Sequence, residues 1–192
     1  GTFRLSNGET IKILVGQQGS VTLNASSSGG GGGTFVVRGS NTTLIVAGGG
    51  GGLETATSRH LGCDASTSTA GNAGYRSWPG GSGGRGATTA DSDNSGGGGG
   101  GFYSSGRSST QFGGSMGNGG EGGKGFLQGG VGGRALYNNA VGGFGGGGGA
   151  FGSSSGGGAG GGGGYSGEVV GIMRVTPVEE GRILQHWKES AE

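Results

Sequence analysis

Apolar and polar residues alternate at the front of the chain. Phe3, Leu5, Ile11, Ile13 and Val15 are interleaved with Arg4, Ser6, Thr10 and Lys12, the period-two pattern of half-buried strands. Asn7-Gly8 lies between the two apolar groups and is a strong hairpin signal, so the spacing predicts two strands joined there. Val21–Leu23, Thr34–Arg38 and Thr43–Ala47 continue in the same manner, with residues 16–20 and 26–33 as connections. Near the other end Glu168–Val178 is again rich in β-branched residues, with Val169, Gly171, Met173 and Val175 on one face, until Pro177 ends the run. Arg182–Lys188 reads as a last strand, because Ile183, Gln185 and Trp187 share a side under a period of two. Strands so alike in character, at the two ends of one chain, most simply build one antiparallel sandwich. Whatever lies between then starts and finishes close together in space.

What lies between is glycine. Of 192 residues 61 are glycine, and they gather in Gly48–Gly52, Gly96–Gly101, Gly145–Gly149 and Gly160–Gly164. The chain therefore divides into residues 1–47, the first part of a sandwich, residues 48–166, a glycine-rich insertion, and residues 167–192, the rest of the sandwich and the start of an exit linker. Disorder is the first alternative for the insertion, since glycine loses the most backbone entropy on folding and has no side chain to bury. Against it stand Tyr75, Trp78, Phe102, Phe112, Phe126, Phe144 and Phe151, more large apolar side chains than a flexible linker carries.

Collagen is excluded, because the chain has only two prolines and no strict Gly-X-Y period. A different use of the three-residue extended helix fits. Glycine segments in polyproline II conformation have no internal hydrogen bonds, and without Cβ atoms they can lie side by side, each N–H meeting a neighbour's carbonyl. The fold predicted is thus mainly β with polyglycine II helices. In such a bundle Gly96–Gly101, Gly145–Gly149 and Gly160–Gly164 are interior runs, whereas residues 113–125 and 129–134, with a larger residue about every third position, are outer ones.

Composition narrows function mainly by exclusion. The net charge is +1, with neither sign clustered, so there is no footprint for nucleic acid or for an anionic membrane. No stretch approaches the roughly 18 apolar residues of a membrane span. Beginning at Gly1 without Met or leader, the chain reads as an excised segment or a processed product. The single cysteine, Cys63, has no internal disulfide partner; in a secreted setting it either pairs with another chain or with a missing segment, or stays a small unpaired side chain.

No catalytic, cofactor-binding or metal-ligating residues emerge. His60 and His186 are isolated from carboxylate or cysteine clusters. Residues 81–86 satisfy Gly-x-Gly-x-x-Gly, but they neither follow a strand nor open a helix, and so much glycine makes such matches inevitable. Asp91, Asp93 and Asn94 resemble the start of a calcium loop with no Glu at the required spacing. Asn24-Ala25-Ser26 and Asn41-Thr42-Thr43 fit the N-glycosylation acceptor pattern, which suits an extracellular or cell-surface chain. The loops that interrupt the glycine with charged and aromatic residues, Glu54–Arg76 and Phe102–Phe112, are the segments most open to a partner.

Three blocks in order carry a resemblance: residues 13–19 (Ile-Leu-Val-Gly-Gln-Gln-Gly), residues 29–37 (five glycines, then Thr-Phe-Val-Val) and residues 44–51 (Leu-Ile-Val-Ala and four glycines). Together they closely resemble the glycine-rich extracellular domain of the anaplastic lymphoma kinase and leukocyte tyrosine kinase receptors. In the tail, Val178-Glu179-Glu180-Gly181 with Ile183, His186 and Trp187 looks like the segment leading toward that family's growth-factor-like module. The resemblance implies a tumour-necrosis-factor-like antiparallel β-sandwich with an inserted bundle of packed polyglycine helices. It also implies a non-catalytic extracellular module that binds a secreted protein ligand and takes part in ligand-induced dimerisation, while the family's kinase domain and membrane span lie outside it. This sequence departs in the connection after the Gln17-Gln18-Gly19 block, which is short and lacks the family's cysteines, and in the absence of the first sandwich strands. Two other classes compete: an adhesin or structural tip, similar to the polyglycine-helix tips of some phage tail fibres, and an ice-binding protein, whose flat face should carry short residues where this chain has Arg, Phe and Tyr.

Overall fold

The computed structural model describes residues 2–22, 27–53, 61–73, 79–89, 94–153, 156–167 and 172–174. Its regular elements are small antiparallel sheets. β1 (Ile11–Leu14), β2 (Thr34–Arg38) and β3 (Thr42–Ala47) form one sheet in that order, and β4 (Phe151–Ser153), β5 (Gly156–Gly158) and β6 (Ile172–Arg174) form a second. Among the described residues the helical pieces are three-residue 3-10 turns at Leu61–Cys63, Thr110–Phe112 and Phe126–Gln128.

The alternation seen in the sequence becomes the two faces of the first sheet. Leu14, Phe35 and Val46 are opposed across the three strands, as are Ile13, Val36 and Ile45. The first row faces inward: Phe35 and Val37 are buried, and Phe102, Phe126 and Tyr165 from the glycine region pack over them together with Leu14 and Val46. Phe102 and Phe126 stack at 5.1 Å and Phe35 lies 5.0 Å from Phe126. The sheet's inner face is thus covered by aromatic residues that the glycine-rich region supplies.

The turn at Asn7-Gly8 forms, with Gly8 at φ +78° and the Glu9 N–H donating to Ser6 O. No strand precedes it, however, and β1 takes β2 as its partner. The Arg38 guanidinium donates to Arg4 O and pairs with the Glu9 carboxylate, tying the front segment to β2 by its side chain while Phe3 and Leu5 stay exposed. Val21 and Thr22 form no strand, and β4 and β5, made of glycine, serine and one Phe, were not expected as strands. The expected strand at 182–188 lies outside the described residues.

Between the sheets, order comes from main-chain pairing. Gly97 donates its N–H to Gly149 O and Gly100 donates to Gly146 O, while Gly98 donates to Arg107 O and Gly101 to Ser104 O. The carbonyls of Gly97 and Gly100 in turn accept from Gly161 and Gly164, and those of Gly98 and Gly101 from Gly123 and Phe126. Each neighbour is met at a step of three residues, on both partners. The same step recurs from Gly30 and Gly33 to Gly148 and Gly145, from Gly29 and Gly32 to Ser20 and Gln17, and from Ser28 and Gly31 to Leu53 and Gly50. Residues 16–20 and 28–33, expected as connections, therefore belong to the paired network.

Burial agrees with the interior runs and with residues 129–134, but departs from the outer expectation over 119–125, where Glu121 is buried along with Gly119, Gly120, Gly122, Gly123 and Gly125. Gly96–Gly101, Gly145–Gly149 and Gly160–Gly164 are buried, and in residues 129–134 Val131 and Arg134 are exposed while Gly133 between them is buried. Residues 113–118 lie largely at the surface, and burial begins at Gly119.

The pairing also fixes where the sheets sit. Residues 29–33 and 145–149 run in opposite directions, β2 continues from the end of the first and β4 follows the end of the second through Ala150. The two sheets consequently cap opposite ends of the glycine stack. β6, within the tail strand expected to join the front strands, pairs with β5 at the far end. The two ends of the insertion do meet: Gly49 donates to Gly163 O, and a Cβ on Gly164 would lie 3.2 Å from the Gly48 Cα.

Candidate recognition site

Among the described residues β3 is the longest strand, with six residues, and lies at an edge of its sheet. In an antiparallel ladder alternate residues turn their N–H and C=O groups away from the partner strand, so β3 directs such groups outward. Alongside runs a groove of about 320 Å³. Four consecutive residues, Thr43–Val46, line it, which places it along the edge of β3 and not over one face. Ala65–Asn72 forms another wall, and Gly48, Gly49 and Gly162–Ser166 complete the lining. No charged side chain is among these residues.

Local hydrogen bonds hold the 65–72 wall. The N–H of Ser68 donates to Ser66 Oγ and that of Ala70 to Ser68 Oγ, short-range bonds that turn a Ser-rich segment back on itself. Ser166 Oγ donates to Thr69 O at 2.6 Å, and Asn72 Nδ2 donates to Asp64 O at 2.6 Å. Upstream, Gly51 donates to Cys63 O, and the buried Cys63 thiol donates to Gly52 O at 3.7 Å, so the segment is fastened to the glycine stack at its root.

The segment Glu54–Arg76 thus enters the site through its described part, 61–73. Phe102–Phe112 does not. Phe102 is fully buried, Ser109 is buried and donates to Gly119 O, and Arg107 reaches Ser95 Oγ and Met116 O. An aromatic residue among glycines is the only large apolar group available for a core there, so the side chains that looked like contacts are structural. Tyr103, Thr110 and Gln111 remain exposed.

One charged cluster is built into the stack. Glu121 is 7 % exposed; Arg134 donates to it from Nε at 2.6 Å and from its N–H at 3.2 Å, and Lys124 Nζ lies 3.1 Å away. Burial alone pushes the Glu121 carboxyl up, but the bonds from Arg134 and Lys124 together outweigh it and hold the carboxyl below its ordinary value. Arg134 also lies 4.8 Å over the Phe112 ring. This cluster ties the run that holds Glu121 and Lys124 to the run that holds Arg134.

Asn41 is exposed in the turn between β2 and β3, while Asn24 lies outside the described residues, as do His60, His186, Asp91 and Asp93. Asn94 is described at φ 59°, and Gly83 and Gly84 of the Gly-x-Gly-x-x-Gly match form a tight turn with positive φ against the Tyr103 ring. Among the described residues no three His, Cys, Asp or Glu side chains gather as metal ligands, and no helix is long and apolar enough to cross a membrane. In the sequence Thr43–Val46 carries the signature of a strand, within an uncharged run of six, Thr-Thr-Leu-Ile-Val-Ala. No protein-family model and no curated protein matches the chain.

Proposed function

We propose that this chain is a non-catalytic extracellular recognition module of receptor-tyrosine-kinase type, which binds a secreted protein ligand on a rigid glycine scaffold. One observation carries the scaffold: hydrogen bonds between glycine runs repeat every three residues on both partners. Polyproline II has three residues per turn, so residues three apart face the same neighbour. We accordingly read the runs as packed polyglycine II helices, and the sheet β1-β2-β3 as part of a tumour-necrosis-factor-like sandwich. The front blocks' resemblance to the anaplastic lymphoma kinase and leukocyte tyrosine kinase receptors supports this, as does the exposed acceptor pattern at Asn41.

The recognition role follows from stiffness. A surface held by a backbone lattice loses little conformational entropy when a partner binds, which leaves more of the contact energy as affinity. Ligand engagement would then bring two such chains together at the cell surface. Calorimetric titration of the folded chain against a panel of secreted proteins tests the reading; no heat across the panel would overturn it. Amide exchange tests the scaffold separately, with the glycine-run amides expected to be protected well beyond random-coil rates.

A further inference from the structure

We propose that Asn7 is a site of spontaneous modification in the folded protein, where its side-chain amide is converted by water to a mixture of aspartate and isoaspartate through a cyclic imide formed with the Gly8 nitrogen. This goes beyond the recognition reading and does not depend on it.

The chemistry needs an asparagine whose following main-chain nitrogen is open to attack, and glycine, without a Cβ, leaves it most open. The Gly8 nitrogen attacks Cγ of Asn7 and gives its proton to solvent. The N–Cγ bond forms, the Cγ–Nδ2 bond breaks and ammonia leaves. Water then opens the imide: addition at the side-chain carbonyl gives aspartate, and addition at the main-chain carbonyl gives isoaspartate, in which the chain runs through Cγ. No electrons are exchanged, and water is the co-reactant.

The chain contains two Asn-Gly pairs, Asn7-Gly8 and Asn118-Gly119, and the fold treats them differently. Asn7 and Gly8 are both exposed, and a Cβ on Gly8 would meet nothing within 4 Å. Neither the Asn7 side-chain amide nor the Gly8 N–H has a hydrogen-bond partner among the described residues. The restraint is the turn itself, in which the Glu9 N–H donates to Ser6 O and the Ser6 N–H donates to Glu9 Oε2, each at 3.0 Å. Both bonds join residues three apart at the surface, so breaking them uncovers no core and needs little free energy. The peptide between Asn7 and Gly8 can then rotate until its nitrogen faces the side chain.

At the second pair that rotation is blocked. Asn118 is exposed, but its Oδ1 accepts from Gln111 Nε2. Gly119 is buried, its carbonyl accepts from the buried Ser109 Oγ at 2.7 Å, and a Cβ there would lie 2.1 Å from Ser95 O. This peptide turns only when that part of the stack opens.

Isoaspartate inserts an extra main-chain carbon between residues 7 and 8, which moves the Glu9 N–H away from Ser6 O. Glu9 also pairs with Arg38, whose guanidinium donates to Arg4 O, so the change reaches the contacts that hold the front segment on β2.

The test is incubation of the full chain in mildly alkaline buffer, native and in guanidinium, followed by peptide mapping with mass spectrometry and an isoaspartate-specific methyltransferase. In the native chain Asn7 is expected to convert at least about tenfold faster than Asn118, whereas in denaturant the two rates should agree within about threefold. Gly8→Ala should slow conversion of Asn7 about tenfold in both conditions and leave Asn118 unchanged; the denatured measurement is independent of how the variant folds. Equal native rates at the two pairs, or an Asn7 rate more than about tenfold lower in the native chain than in denaturant, would overturn the proposal. A difference between the pairs that persists in guanidinium would assign it to local sequence and overturn the argument from the fold.

Discussion

The N–H of Gly97 donates to Gly149 O at 2.8 Å, while a Cβ placed on Gly97 would fall on the carbonyl of Glu121. These two facts describe the same constraint. Backbones can pair here because nothing larger than hydrogen stands between them, and a neighbour's carbonyl has taken the place of the side chain.

Gly97→Ala should therefore destabilise the chain by about 3 kcal/mol, lowering the unfolding midpoint by roughly 6–12 °C. Gly48→Ala is the contrasting case. Its new methyl would meet the Ala65 Cβ at 3.6 Å, an ordinary contact, so its midpoint should stay near that of the parent chain. Thermal unfolding followed by circular dichroism measures both, and equal losses at the two positions would contradict a close-packed glycine lattice.

Glu121 gives the stack a pH dependence. Its folded carboxyl lies below the usual 4.5, so its stabilisation is present in full above the unfolded value and is lost as pH falls through the folded one. Glu121→Gln replaces an acceptor by a donor facing Arg134, and near neutral pH should cost about 2 kcal/mol. The difference between variant and parent should narrow steadily below the usual carboxyl value. Unfolding midpoints of the two chains over an acid series check the convergence; a gap independent of pH would assign the loss to packing.

Much of this architecture can be read from residues, and the remainder fails for identifiable reasons. β2 and β3 announce themselves because Phe35, Val37 and Val46 alternate toward a core. The buried glycine runs are legible too, since uninterrupted glycine suits only a position surrounded by backbone. β4 and β5 are not, because a strand of Phe-Gly-Ser or of three glycines has no side-chain pattern and is defined by hydrogen bonds alone. Phe102 misleads for the opposite reason: an aromatic beside exposed Tyr103 looks like a contact surface, whereas it is the group that covers Phe35. The groove along β3 depends on Ala65–Asn72 folding beside it, a long-range placement without a local signature.

Cys63 offers a probe of the root of the groove wall. Its thiol is buried and bonded to Gly52 O, so the native chain should react with a thiol-specific chromogenic reagent only as fast as the segment opens. Full reactivity is expected on denaturation in guanidinium. Stoichiometric labelling of the native chain within the mixing time would mean that 61–73 does not rest on the stack as described.

Phe102 joins the first sheet to the glycine stack and makes one cooperative unit of them. Its ring stacks on Phe126, meets Tyr103 edge-on at 4.9 Å and lies 6.3 Å from Phe35, while its N–H donates to Tyr165 O. Phe102→Ala would open a cavity where sheet and stack meet, for a loss of about 3–5 kcal/mol. Because Phe102 is the fully buried ring of the cover, with Phe126 and Tyr165 only partly buried beside it, the sheet's amides and those of Gly96–Gly101 should lose protection together. Native-state hydrogen exchange on the variant distinguishes the alternatives. If β1–β3 kept parental protection while the glycine runs opened, the sheet would be shown to hold its own core, and the coupling argued from Phe102 would fail.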